Sequence, residues 1–179
     1  LLLVPTGTAR DGLGIEVVVA LGPAFATVMN QTLAELSHSD VLGAILKGIE
    51  SEGVFARVVK VWHGADLADI GLSGAKLSGS GIGIGLQSKG TAVIHKKGLA
   101  PLNNLELLSM APNLTLESYK ALGRNAACYA TAREPHPVPM KIDNMARLRL
   151  IVHTTLLHHR EVGQIDPKRK VEDLKVTFL

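Results

Sequence analysis

Stretches that are almost wholly apolar and β-branched alternate along this chain with stretches whose apolar residues recur every third or fourth position. The first pattern predicts strands and the second helices. Residues 15–21 (IEVVVAL) form a first strand, closed by the turn signal Gly22-Pro23. Residues 39–53 put Val41, Leu42, Ile45, Leu46 and Ile49 on one helical face, with Ser39 able to cap it and Gly53 ending it. A second strand spans 54–62, and 65–72 has room for one or two helical turns. Residues 81–87 and 91–96 read as further strands, and 101–108 as a short helix. A helix over 115–132 has Thr115 or Asn113 as its cap and Glu117 in its first turn. Leu116, Tyr119, Leu122, Ala126 and Tyr129 mark its face. Residues 133–140 read as an extended proline linker, 144–162 as one last helix and 171–179 as a closing strand.

Strands alternating with helices predict an α/β fold: one domain over 15–179, with a mostly parallel sheet flanked by helices. The opening residues 1–14, LLLVPTGTARDGLG, are too short and too weakly basic at their start for a signal peptide, and read as a trimmed end or loose arm.

Composition narrows the function classes. With 46% hydrophobic and 20% charged residues over 179, the chain can bury a real core and is not a disordered one. Aromatic residues at 3% argue against base-stacking platforms, and a net charge of +3 is too mild for a nucleic-acid face. The single cysteine, Cys128, excludes an internal disulfide framework and multi-cysteine metal sites, and fits a reducing, cytoplasmic compartment. No apolar run approaches the roughly 20 residues of a membrane helix.

The chemistry-bearing candidates are few. Residues 77–98 hold six glycines around Lys89, yet match neither common phosphate loop. A P-loop needs Ser or Thr after its lysine, and Gly90 follows Lys89. The third glycine of a dinucleotide fingerprint would fall on Ile84 or Leu86. Composition alone favours a glycine-rich sheet edge with a solvated lysine; the sharper reading is a backbone that lets a ligand approach beside one cation. His153, His158 and His159 lack the spacing of a helical zinc motif, with Glu161 following the pair rather than separating it. His38 and His63 read as turn residues and His95 as a packed strand residue. Asp40, Asp66, Asp69 and Asp143 form no acid–base pair, and no Ser-His-Asp signature stands out. The expectation is a chain with no catalytic constellation and no metal site of its own.

Several segments carry a resemblance: KLSGSGIGIGLQSKGTAVIHKKGLAPLNNLELL, APNLTLESYKALGRNAACYA and PHPVPMKIDNMAR, together with VVVALGPAF and GIESEGVFARVVKV. In this order they resemble the medium subunit of coenzyme B12-dependent diol and glycerol dehydratases, from about Ile15 into the last helix. Enzymes of that family convert 1,2-diols or glycerol to an aldehyde plus water. Adenosylcobalamin splits homolytically and its adenosyl radical takes a substrate hydrogen. The resemblance implies a Rossmann-like medium subunit that covers the lower, nucleotide side of the cobalamin, while the barrel of a large subunit holds the substrate. It implies a dimer of heterotrimers with large and small subunits, and a reactivating factor as a further partner, with no nucleic acid or membrane involved. Both a free cytoplasmic enzyme and one housed in a bacterial microcompartment fit.

The family's cofactor contacts carry over onto Lys89 in QSKG, Asp66 in GADLAD and Arg147 in NMAR, with Leu102 and Asn104 in LNNLELL as further contacts. The cations suit the phosphate or amide oxygens of the cofactor's nucleotide loop, and the aspartate suits its amide NH₂ groups. The glycine run would then let backbone lie against the corrinoid. Asp66 as a helix cap and Arg147 in a surface ion pair are the plainer alternatives. No Asp-x-His-x-x-Gly string surrounds His38 (LSHSDV) or His63 (VWHGAD), so the cofactor is expected base-on, keeping its benzimidazole as lower ligand. The chain departs from the family where Cys128 stands for arginine, Leu108 for an aromatic, Leu148 for proline and Ala92 for threonine. Two other readings stay open: the small subunit of the matching reactivating factor, and a non-enzymatic α/β binding module.

Overall fold

The computed structural model describes residues 1–138, 140–141 and 143–179, with Asn144 described by its backbone alone. At its centre lies β2 (Glu16–Leu21), buried along its whole length. Its alternating side chains face two separate cores, Val17, Val19 and Leu21 on one side and Val18 and Ala20 on the other. The chain leaves β2 through α1 (His38–Glu50) and returns as β3 (Phe55–Lys60), parallel to β2. It then crosses to the other face through α2 (Leu67–Leu77) and returns as β4 (Ile82–Leu86), parallel to β2 on its opposite side. β5 (Ala92–Lys96) and β6 (Glu106–Leu108) follow as antiparallel neighbours, and α3 (Leu116–Ala130) packs with α1 over the larger core. After α4 (Asn144–Arg149) and α5 (Ile151–Val162), β7 (Glu172–Thr177) slots antiparallel between β3 and β1 (Leu2–Thr8). The seven-stranded order is β1-β7-β3-β2-β4-β5-β6.

The strands expected over 15–21, 54–62, 81–87, 91–96 and 171–179 are β2, β3, β4, β5 and β7, and the helices expected over 39–53 and 115–132 are α1 and α3. Thr115 caps α3 in a capping box with Ser118, whereas α1 is capped by Ser37 rather than Ser39: the Ser37 hydroxyl accepts from the Asp40 N–H at 3.0 Å.

Other expectations are corrected. The α/β domain is present, but its sheet is mixed and mostly antiparallel, since only β2–β3 and β2–β4 run parallel. Residues 101–108 end in strand β6 instead of forming a helix, because Glu106–Leu108 pair with Ala92–Ile94. The single helix over 144–162 breaks at Leu150 into α4 and α5. Within the expected arm, Leu2–Thr8 is an edge strand, carrying a Pro5 that an edge tolerates.

Two glycines of the run in residues 77–98 have a structural task. A Cβ on Gly83 would lie 2.2 Å from the Ala75 backbone nitrogen, and one on Gly85 would lie 2.6 Å from the Gly71 nitrogen. Both residues lie on the α2 side of β4, so their missing side chains let the helix backbone sit directly on the strand. That corrects the expectation that they open the backbone to a corrinoid.

Candidate functional site

The parallel strands set the position of the site. Leu21 pairs with both Lys60 and Leu86, so β2, β3 and β4 end together and the connections that follow them emerge at one edge. The connection from β2 departs over one face and that from β3 over the other. Ligands of open α/β sheets bind at the carboxyl ends of the strands beside such a switch point.

The turn after β4, residues 87–91, is pinned from every side. Gly90 N–H donates to the Gln87 carbonyl at 2.9 Å, and Gln87 N–H to the Thr91 carbonyl at 3.0 Å. The Gln87 side-chain amide donates to the Ala65 carbonyl at 2.6 Å. Ser88 donates its backbone N–H to Glu161 at 3.1 Å (Oε1) and 3.2 Å (Oε2), and its hydroxyl to Oε1 at 2.6 Å. The Lys89 carbonyl accepts from Leu33 N–H at 2.9 Å, and the Gly90 carbonyl from the buried Tyr119 hydroxyl at 2.6 Å. Such a turn presents the Lys89 side chain from a fixed base.

His38, buried under the turn, shows how tightly the backbone is held. Its Nδ1 accepts from Ala26 N–H at 2.9 Å, so Nε2 carries the proton and donates to the Ser88 carbonyl at 2.8 Å. The ring stacks on Phe25 at 3.9 Å. Burial, assisted by the positive charge of Lys60, lowers its pKa from 6.5 to about 4, against the opposing backbone hydrogen bonds. Between pH 6.5 and about 4 the unfolded ring takes up a proton that the folded ring refuses, so stability falls as pH falls through that window. The full effect is roughly 3 kcal/mol. NMR titration of His38 is expected to show a midpoint near 4, and urea unfolding of His38→Gln to lose less stability than wild type between pH 7 and 4.5. A midpoint near 6.5 contradicts this burial.

Beside the turn lies a cleft of about 170 Å³. Lys89, Thr91 and Ser109 supply polar wall from the sheet side, Arg147 and Thr154 from α4 and α5. Leu33, Met110 and Ala111 make it apolar elsewhere. Lys89 is half-buried, and its pKa is lowered by burial and by Arg147, with Glu161 acting the other way. Arg147 is exposed, and the ion pairs among the described residues include neither cation. Two cations thus converge on one opening.

The structure therefore brings Lys89 and Arg147 together. Asp66 stands at the same sheet edge, next to the Ala65 that Gln87 holds. It is exposed and caps α2, its carboxylate accepting from Asp69 N–H at 3.1 Å, and it does not line the cleft. Leu102 and Asn104 lie in the connection after β5, whose end at Lys96 pairs with Ile82 at the start of β4. That connection is at the amino edge of the parallel strands, away from Lys89. Leu102 is exposed there, and the Asn104 amide lies 3.5 Å from its carbonyl. The residues missed by the sequence reading are Thr91, Ser109 and Thr154.

A family model described as dehydratase medium subunit matches residues 22–136, more than half of the chain. This chain belongs to that family. The match contains the connection after β2, the turn at Lys89 and the 109–112 wall of the cleft, and ends before α4 and α5. Of the readings left open above, it favours the medium subunit over the reactivase subunit. Two solved structures share the fold. One, described as a glycerol dehydratase reactivase, superposes with a TM-score of 0.55 at 18% identity, over 72% of this chain and 100% of its own. The other, a diol dehydratase-reactivating factor complexed with ADP and Mg2+, gives 0.52 at 20% identity over 71% and 100%. At such identities the likeness is one of fold. As a dehydratase medium subunit the chain has partner subunits, and no helix among its described residues is long and apolar enough to cross a membrane.

Proposed function

We propose that this medium subunit serves an adenosylcobalamin-dependent propanediol or glycerol dehydratase, where it holds the lower, nucleotide side of the cofactor and leaves the diol to the large subunit. The observation that carries the reading is the convergence of Lys89 and Arg147 on one cleft at the carboxyl edge of the sheet. The cleft suits part of a cobalamin, not the whole: about 170 Å³ admits a single polar arm such as the nucleotide phosphate or an amide. Lys89 and Arg147 would donate to its oxygens, the Ser109 hydroxyl would fill a remaining hydrogen bond, and Leu33 and Met110 would exclude water; the Thr91 hydroxyl already donates to the Gln87 side-chain oxygen and could only accept. Asp66, exposed at the same edge, would accept from an outlying amide. When bound, the cofactor supplies the radical chemistry that turns the diol into aldehyde and water. α4 and α5 expose Met145, Leu148, Ile151, Val152 and Leu156, apolar surface of the kind partner subunits cover. We place the assembly, a dimer of heterotrimers, in the cytoplasm.

The base-on assignment has local support. Both ring nitrogens of His38 are engaged, by Ala26 N–H and the Ser88 carbonyl, so the histidine nearest the turn has no lone pair free for cobalt. EPR of the cobalt(II) cofactor in the complex is expected to change when the benzimidazole is ¹⁵N-labelled. A spectrum that instead responds to labelled histidine contradicts it.

Reconstitution tests the reading as a whole. The isolated chain is expected to turn over no diol, and the complex with large and small subunits to do so only with adenosylcobalamin. Aldehyde formation by the chain alone, or by a complex lacking it, would overturn the assignment.

A further inference from the structure

Glu161 is an unusual anchor. It lies in the last turn of α5, is completely buried, and accepts three hydrogen bonds from Ser88, the residue before Lys89. Burying a carboxylate costs far more than burying an amide, and a glutamine oxygen would accept from the same two Ser88 donors. The hydrogen bonds alone therefore do not account for a glutamate. Its electrostatic surroundings do: the charges acting on it are the ammonium groups of Lys89 and Lys60. Burial raises its pKa, and the Ser88 bonds and both lysines oppose that rise. For Lys89 the acting charges are Glu161 from α5 and Arg147 from α4. The rest of the cleft wall, Leu33 and residues 109–112, brings no titratable group.

We infer that Glu161 is the positioning residue of the cofactor cleft, fixing the Ser88 backbone so that Lys89 is aimed into the opening and supplying the negative charge that faces it. The inference rests on the cofactor reading above. In this arrangement α4 and α5 act as one strap across the carboxyl edge of the sheet. Its outer residue, Arg147, contributes a cation to the cleft, and its inner residue, Glu161, keeps the second cation charged. Removing the carboxylate leaves Lys89 half-buried beside Arg147 with nothing to offset either effect, so Lys89 releases its proton at lower pH.

The test is cobalamin affinity of the reconstituted complex, measured by absorbance titration from pH 6.5 to 9.5, with assembly checked by gel filtration. Glu161→Gln is expected to weaken binding severalfold, and the loss to grow as pH rises from 6.5 to 9.5. Adding Lys89→Arg, whose charge does not titrate in this range, is expected to remove the pH-dependent part of that loss. If Lys89→Ala weakens binding but Glu161→Gln does not, the cofactor reading stands and the inference fails. If Glu161→Gln weakens binding equally at every pH and Lys89→Arg restores nothing, Glu161 is only a packing residue and the inference fails. If Lys89→Ala itself has no effect, the reading fails and the inference with it. Should Glu161→Gln not assemble, Ser88→Ala, which removes one of the anchoring bonds and leaves the carboxylate, must weaken binding about threefold; unchanged affinity overturns the proposal.

Discussion

Lys89→Ala in the assembled complex is expected to raise the KM for adenosylcobalamin about ten- to a hundred-fold while leaving that for the diol nearly unchanged. Lys89 is half-buried, has no ion-pair partner among the described residues, and stands on a turn whose backbone is held by Leu33, His38, Tyr119 and Glu161. A charge-assisted hydrogen bond from such a base is worth roughly 1.5–3 kcal/mol, which corresponds to that range of affinity. On the proposed reading the diol site belongs to another subunit and has no direct contact to lose. Arg147→Ala is expected to act in the same direction, with a smaller effect because its exposed side chain has more freedom and more water around it. A solvated lysine on a sheet edge would behave differently: its removal shifts stability by no more than about 0.5 kcal/mol and leaves cofactor affinity alone.

Gly83→Ala is expected to destabilise the chain by roughly 1–3 kcal/mol. The new methyl meets three backbone atoms of α2, at 2.2, 2.6 and 2.9 Å, so no side chain can swing aside and the helix itself must lift from β4. Loss of chain entropy in the unfolded state works the other way, but by only about 0.4–1 kcal/mol. Gly64→Ala provides the control. Its Cβ would meet nothing within 4 Å and its backbone is not left-handed, so only the entropic gain should remain. Chemical denaturation of both variants checks the pair; equal stabilities would mean that the glycines of β4 are not there for helix packing.

These two sites also mark what the sequence discloses. The strands and α1 of the β2-α1-β3-α2-β4 unit were legible because their patterns are local; α2 was read only as one or two turns over 65–72, whereas it runs over Leu67–Leu77. The hairpin of β4 and β5 was legible too, though in loop length rather than hydropathy: residues 88–90 alone separate the expected strands, and a parallel crossover needs about a dozen. Alternation of strand and helix hid that arithmetic and suggested a mostly parallel sheet. The slot of β7 between β1 and β3 depends on contacts such as Arg57 with Asp173 at 2.8 Å, 116 positions apart, and no local pattern announces it.

The cleft divides in the same way. Lys89 and Arg147 stood out through short segments that resemble a family. Thr91, Ser109 and Thr154 did not, because they converge only when β6 returns along β5 and α5 lies over the turn. Leu102 and Asn104 were placed by the same segments but sit on the far side of that return. In the sequence Glu161 figures only as the glutamate of a zinc motif, which its spacing from His158 and His159 rules out; its burial comes from where the last turn of α5 docks and not from its neighbours in the chain.

A structure of the reconstituted complex with adenosylcobalamin tests the central claim most directly. The account predicts the nucleotide side of the cofactor against the carboxyl edge of β2, β3 and β4, with one polar arm in the cleft and its oxygens within hydrogen-bond distance of Lys89 and Arg147. A cobalamin seated at the connection around Leu102, or held by the other subunits with no contact to Lys89, would contradict it.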